Sequence, residues 1–265
     1  MAEGEEKGRL QRRLLSLAVA VGCVAPVAVL ILLSIATRWP AGQAWPAELT
    51  GERWGELFSG RGALLESLVL SITLSLAVAT VSTAAGYLTS KAIAFSPHRH
   101  RLLLLAYIPF AFSPVILGTC LLFLYLRLDL AGTAGGVALA QTMFSYGFAV
   151  IFFIGFWTPQ KQAYEELVYT LGGSTWTAYR RALLPLSRGL LAVGFFQAFL
   201  ISWFQYGLTL LVGGGRVKTL PLKVFDYVRE ANPYYAALAS CLLVLPPLVL
   251  VLLNRRAAPS FGVSR

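Results

Sequence analysis

The sequence predicts an all-α protein that crosses a membrane six times, and three observations carry that prediction. Of 265 residues, 57% are apolar and 13% charged, about half the charged share of an ordinary soluble domain. Mean hydropathy is +0.69. Six runs, 14–37, 67–90, 102–126, 130–160, 189–215 and 231–254, contain no Asp, Glu, Lys or Arg, and each is at least 24 residues long. About 20 apolar residues suffice to cross the hydrocarbon core as a helix. So little polar surface cannot cover a globule in water, which excludes a soluble enzyme, a disordered chain and a disulfide-stapled secreted domain. Barrel strands need only about 9–11 alternating residues, so the runs are read as helices.

The elements follow in order. Residues 1–13 form a basic N-terminal tail, and the first span takes 14–37 with Pro26 inside it. Its apolar run of 24 residues exceeds the roughly 7–15 of a cleavable signal, so it reads as an uncleaved anchor. Glu66 stands at the entrance of the second span, 67–90, where Ser75, Ala79, Ser82 and Thr83 allow close helix contact. The third span, 102–126, holds nine Leu and six Ile, Val or Phe, favouring insertion by roughly −5 to −9 kcal/mol. Pro109 and Pro114 should kink it. Run 130–160 is too long for one span; Gly132, Gly135 and Gly136 suggest a loop first, placing the fourth span near 135–157. A loop at 158–188, a fifth span at 189–212, a sixth at 234–254 broken by Pro246–Pro247, and a tail at 255–265 complete the single transmembrane domain, 14–254.

Basic residues orient the spans. The tails together with loops 91–101 and 161–188 carry 14 Lys and Arg against 8 on the other side, for net charges of +9 and +1. The positive-inside rule therefore puts both termini in the cytoplasm. The basic residues flank spans instead of forming a separate domain, which argues against nucleic-acid binding. Cys23, Cys120 and Cys241 lie singly inside spans, and His98 and His100 sit in a solvated basic turn, so neither a metal nor a cofactor site is proposed. No catalytic residue is assigned. No span interior holds the Asp, Glu, Lys, Arg or His that proton-coupled carriers keep at membrane depth. There is no GxxxxGK[ST] phosphate loop either. If transport is active, its energy source sits on another polypeptide; an ATP-independent channel or ion-driven carrier is the alternative.

Loop 158–188 reads TPQKQAYEELVYTLGGSTWTAYRRALLPLSR. Thr158 and Pro159 should start a helix, and Gly172–Gly173 should stop it. Tyr164, Leu167, Val168 and Leu171 share one apolar stripe at i, i+3, i+4 and i+7. Ser174 can cap a second short helix through Trp176, Tyr179 and Leu183, which Pro185 should end. An apolar face projecting into the cytoplasm needs something to bury it, either a partner or the membrane surface.

This loop resembles the EAA motif, E-A-A-x3-G-x9-I-x-L-P, of the permease subunit of type I binding-protein-dependent ABC importers. Glu166 takes the Glu, Gly172 the Gly, and Leu184–Pro185 the terminal pair, while Leu167 and Val168 replace the alanines and Ala182 the Ile. The flanking YEE and RRALLPL and the stretch LLVGGGRVKTLPLKVF are similar to permeases of the sulfate, molybdate, iron, thiamine and polyamine group. The resemblance implies the type I permease fold in a bacterial inner membrane and a chain that is a transport subunit, not an enzyme. It implies cytoplasmic ABC ATPase subunits, an extracytoplasmic solute-binding protein and a second permease subunit as partners. The ATPase-coupling residues would be Tyr164, Glu165, Glu166, Leu167, Val168, Leu171, Gly172, Gly173, Leu184 and Pro185, with Glu166 pairing to a basic residue of the ATPase. Ser113, Gln197, Ser202 and Gln205 are polar candidates for the translocation pathway, and interhelical hydrogen bonds are the other use for such groups.

Overall fold

The computed structural model describes residues 2–40, 42–59 and 62–257. Most of the C-terminal tail 255–265 therefore lies outside the described residues, as do the side chains of Cys23 and of most of tail 1–13. The order is α1 (Ala2–Ile35), β1 (Ala36–Arg38), β2 (Glu48–Leu49), α2 (Glu52–Phe58), α3 (Ala63–Ala94), α4 (Arg99–Ala111), α5 (Pro114–Arg127), α6 (Ala134–Ile154), α7 (Pro159–Thr170), α8 (Thr175–Ala178), a π turn (Tyr179–Leu183), α9 (Leu184–Trp203), α10 (Gly207–Gly213), α11 (Leu220–Arg229) and α12 (Pro233–Ala257). Among the described residues three helices are long and apolar enough to cross a membrane: Ala63–Ala94, Ala134–Ile154 and Thr175–Trp203. A bent pair, α4 with α5, makes a fourth, and Val24–Ile35 and Pro233–Val249 are shorter apolar helices.

Two compact units divide the chain, one of Met1–Glu66 with Lys223–Leu245 and one of Ser67–Leu222 with Pro246–Arg265. In the first, β1 and β2 pair antiparallel. Arg53 on α2 donates to the Ala36 carbonyl at 2.7 Å and lies over the Tyr234 ring at 4.8 Å. Tyr235 donates to Glu56 at 2.5 Å, and Trp54 donates to Ser34. In the second unit α4 and α9 pack on α6, and α10 packs on α5 and α6. One core joins Leu74, Leu121, Tyr125, Val137, Ala140, Leu208 and Val212; the other joins Tyr87, Ala149, Phe153, Trp157 and Leu183.

At three places proline behaves differently from the sequence expectation. The third span is not one kinked helix: α4 and α5 meet at 91°. Phe112 and Ser113 are extended and Pro114 opens α5, because the residue before proline is driven out of the helical region. Pro185 does not end the second loop helix. The chain runs helically from Thr175 to Trp203 because the π turn widens the spiral just before it, with the Leu184 N–H reaching the Tyr179 carbonyl. That widening takes up a residue with no N–H and a ring that crowds the carbonyl four back. Pro246–Pro247 do not break α12 either; proline φ is helical, and only two donors are lost. The fifth span, by contrast, stops earlier than expected: α9 ends at Trp203, and α10 begins after Phe204–Gln205–Tyr206.

Candidate functional site

α7 starts with Thr158 in an extended N-cap conformation and Pro159 in the first turn, although the Thr158 hydroxyl makes no capping bond. It ends in a two-bond glycine stop. The Gly172 N–H reaches the Tyr169 carbonyl at 2.9 Å and the Gly173 N–H the Val168 carbonyl at 2.8 Å, with Gly172 at φ +78°. This is the Schellman arrangement, which wants glycine at the left-handed position. Gly173 is needed for space: a Cβ there would meet Val168 Cγ1 at 2.5 Å. Ser174 then caps α8 by accepting from the Thr177 N–H.

The loop helix has two contrasting faces. Tyr164, Leu167, Leu171 and, on α8, Trp176 are 50%, 56%, 79% and 70% exposed; Val168 is partly buried, and Leu184 and Pro185 are exposed. Glu166 is also exposed, accepting from Gln162 at 3.0 Å. Glu165, one residue away and about 100° around the helix, is buried. Its carboxylate meets Lys91 Nζ at 2.5 Å and accepts from the Tyr169 hydroxyl at 2.7 Å. Lys91 also lies 4.7 Å from the Tyr179 ring and 5.8 Å from that of Trp157. Burial alone would raise the Glu165 pKa, but the hydrogen bonds from Lys91 and Tyr169 and the lysine charge outweigh it and hold the carboxyl below its ordinary range. Sequence reasoning named Glu165 but missed Lys91, which lies 74 residues earlier; the cue was one lysine at the end of an otherwise charge-free span.

The polar candidates within the bundle fall into two groups. Ser113 is exposed at the α4–α5 corner and Gln197 is exposed on α9. Ser202 is buried, donating to Gln141 Oε1 at 2.5 Å and lying 3.2 Å from Ser75 Oγ. Gln141 Nε2 donates to Thr209 at 2.8 Å, and Thr209 donates to the carbonyl of Gln205, itself buried in the α9–α10 break. One knot thus ties α3, α6, α9 and α10. Gln141 was missed, although an amide within an apolar run was the same signal that singled out Gln197 and Gln205.

Several helices long and apolar enough to cross a membrane, with a helix–glycine–helix loop between two of them, have the make-up of a membrane transport subunit. No family model matches the chain. It is 31% identical over 170 residues to the molybdenum transport system permease protein ModB of Mycobacterium tuberculosis, covering 58% of this chain and 64% of that one, under two thirds of its length. It is 26% identical over 255 residues to the spermidine/putrescine transport system permease protein PotC of Escherichia coli, covering 95% of each. Its fold resembles a chain of a bacterial ABC transporter involved in the import of the acidic polysaccharide alginate, with TM-score 0.62, 14% identity and 96% and 95% of the two chains covered. The chain is thus a membrane protein similar in sequence to transport-system permeases and in fold to a chain of a bacterial ABC transporter.

Proposed function

We propose that the chain forms the translocation pathway of an ATP-driven importer and couples it to a separate ATPase through α7 and α8. The exposed face Tyr164, Leu167, Leu171 and Trp176, with Glu166 beside it, carries the reading: an apolar stripe edged by an unburied carboxylate on a rigid helix end suits a protein groove with a basic residue in it. ATP supplies the bias between inward-open and outward-open states that a permease alone lacks. A second permease subunit completes the pathway, and an extracytoplasmic binding protein delivers the solute. In this scheme the six spans, at 14–37, 67–90, 102–126, 135–157, 189–212 and 234–254, leave both termini and loop 158–188 in the cytoplasm. Ser113 and Gln197 line the route, and Ser202 and Gln205 join it when the α9–α10 break shifts. The solute falls in the range of the relatives' names, molybdenum or spermidine and putrescine, and its choice rests mainly with the binding protein.

Pull-down of the tagged chain in mild detergent tests this reading and should recover an ABC ATPase. Glu166→Lys should leave insertion intact and lower uptake of radiolabelled spermidine or molybdate by about thirtyfold or more, the scale of about 2 kcal/mol lost at a charged interface contact. Full uptake by that variant would defeat the assignment.

A further inference from the structure

Two adjacent glutamates on α7 sit differently, and only Glu166 is exposed. Glu165 is turned inward to Lys91, one turn before the end of α3 at Ala94. Tyr169, which grips Glu165 from one helical turn on, also places its hydroxyl 3.3 Å from Thr175 at the start of α8. Tyr179, under the Lys91 ammonium, belongs to the π turn that runs into α9. The ends of α3, α7, α8 and α9 therefore converge on one ion pair.

We propose that Lys91 and Glu165, braced by Tyr169 and Tyr179, are the joint through which movement of α7 enters the bundle, with both charged residues acting as positioning residues. The proposal rests on the coupling reading above and adds to it the route inside this chain. The Gly172 turn alone could not transmit a push, since a backbone stop can swing about its flanking bonds. An ion pair with both partners partly buried holds α7 to α3 directly, and removing one partner leaves the other charge uncompensated. Beyond the joint α3 is not free to slide. The Trp157 indole N–H donates to Ser90 at 2.8 Å, Tyr146 donates to Thr89 at 3.1 Å, and Ser187 on α9 donates to the Tyr87 hydroxyl at 3.0 Å. Gly86 lets the α6 backbone approach so closely that a Cβ there would lie 2.4 Å from that of Ala149. Displacement of α7 is thus handed to α3, α6 and α9 together, as in rigid-body transitions.

The test uses the full chain in lipid nanodiscs and then its assembly with the ATPase it captures. Amide exchange across 164–171 should rise about tenfold in Lys91→Gln and in Glu165→Gln, stay low in Lys91→Arg, and return toward wild type in the exchanged pair Lys91→Glu with Glu165→Lys. In the assembly, Lys91→Gln should keep the ATPase bound and hydrolysing while uptake of radiolabelled spermidine or molybdate per ATP falls about tenfold, and the exchanged pair should restore it. Unchanged exchange in Lys91→Gln would overturn the joint. Raised exchange with unchanged uptake per ATP would overturn its role in transmission. A wild-type chain that captures no ATPase would overturn the coupling reading instead, and the exchange arm decides the joint by itself.

Discussion

The α7–α8 loop and the polar knot inside the bundle use the same kinds of group in opposite ways. In the loop, Glu165, Lys91 and Tyr169 form a charged cluster at the margin, and the neighbouring apolar side chains Leu167 and Leu171 stand uncovered. In the knot, Gln141, Ser202, Ser75 and Thr209 are neutral, buried and bonded to one another. The difference is one of solvent. Where water reaches, a charge is tolerable and an apolar face stays available; within lipid or a helix core, every polar group must find a partner in the chain. The loop leaves an apolar face uncovered, and the knot holds four helices in register.

That contrast can be broken or sharpened by three measurements. The largest effect belongs to the bundle. Gly86→Leu forces side-chain atoms into the Ala149 backbone, whose carbonyl carbon would lie 3.0 Å from the new Cβ, and should lower stability by about 3 kcal/mol. Thermal unfolding in nanodiscs reads this, and a shift near zero would mean that α3 and α6 are not closely packed. Next, Gln141→Leu leaves Ser202 and Thr209 without their shared partner and should cost about 1–2 kcal/mol in the same assay. An effect as small as that of an exposed loop substitution would erase the distinction between the two regions. The smallest is a pH effect on the loop. The Glu165 pKa is lowered by folding, so its stabilising contribution is present above the unfolded carboxylate value of about 4.3. It is lost as pH falls through the folded value. Protection of α7 against amide exchange should therefore weaken on acidification below about pH 4.3 in the wild type and show no such component in Glu165→Gln.

How far the sequence revealed these features depends on the range of the physics behind each. The stop at Gly172–Gly173, the cap at Ser174 and the start at Pro159 are decided within five residues of chain, and all three stand where local rules put them. Four of the six apolar runs likewise fall on the three helices and the bent pair that are long and apolar enough to cross a membrane, among the described residues. Proline was a poorer guide. Its chemistry says that a hydrogen bond is missing, but whether the helix turns through 91°, as before α5, or passes on through a π turn, as before α9, is settled by what packs around it. The pairings Lys91–Glu165 and Gln141–Ser202 span 74 and 61 residues, and nothing local encodes such distances. The two glutamates show the limit most plainly: their spacing is visible, but which one turns inward follows from the azimuth at which α7 leaves the bundle.

The bearing of α8 relative to α9 depends on the five-residue turn Tyr179–Leu183. A π turn amounts to one surplus residue in an α spiral, and each residue advances the spiral by about 100°. Excising a single position there would leave an unbroken regular helix while turning the attached α8 by roughly that angle relative to α9. Trp176 would then point along a new bearing without a single altered side chain. The orientation of the uncovered face is thus set by counting, and a one-codon deletion is a compass change.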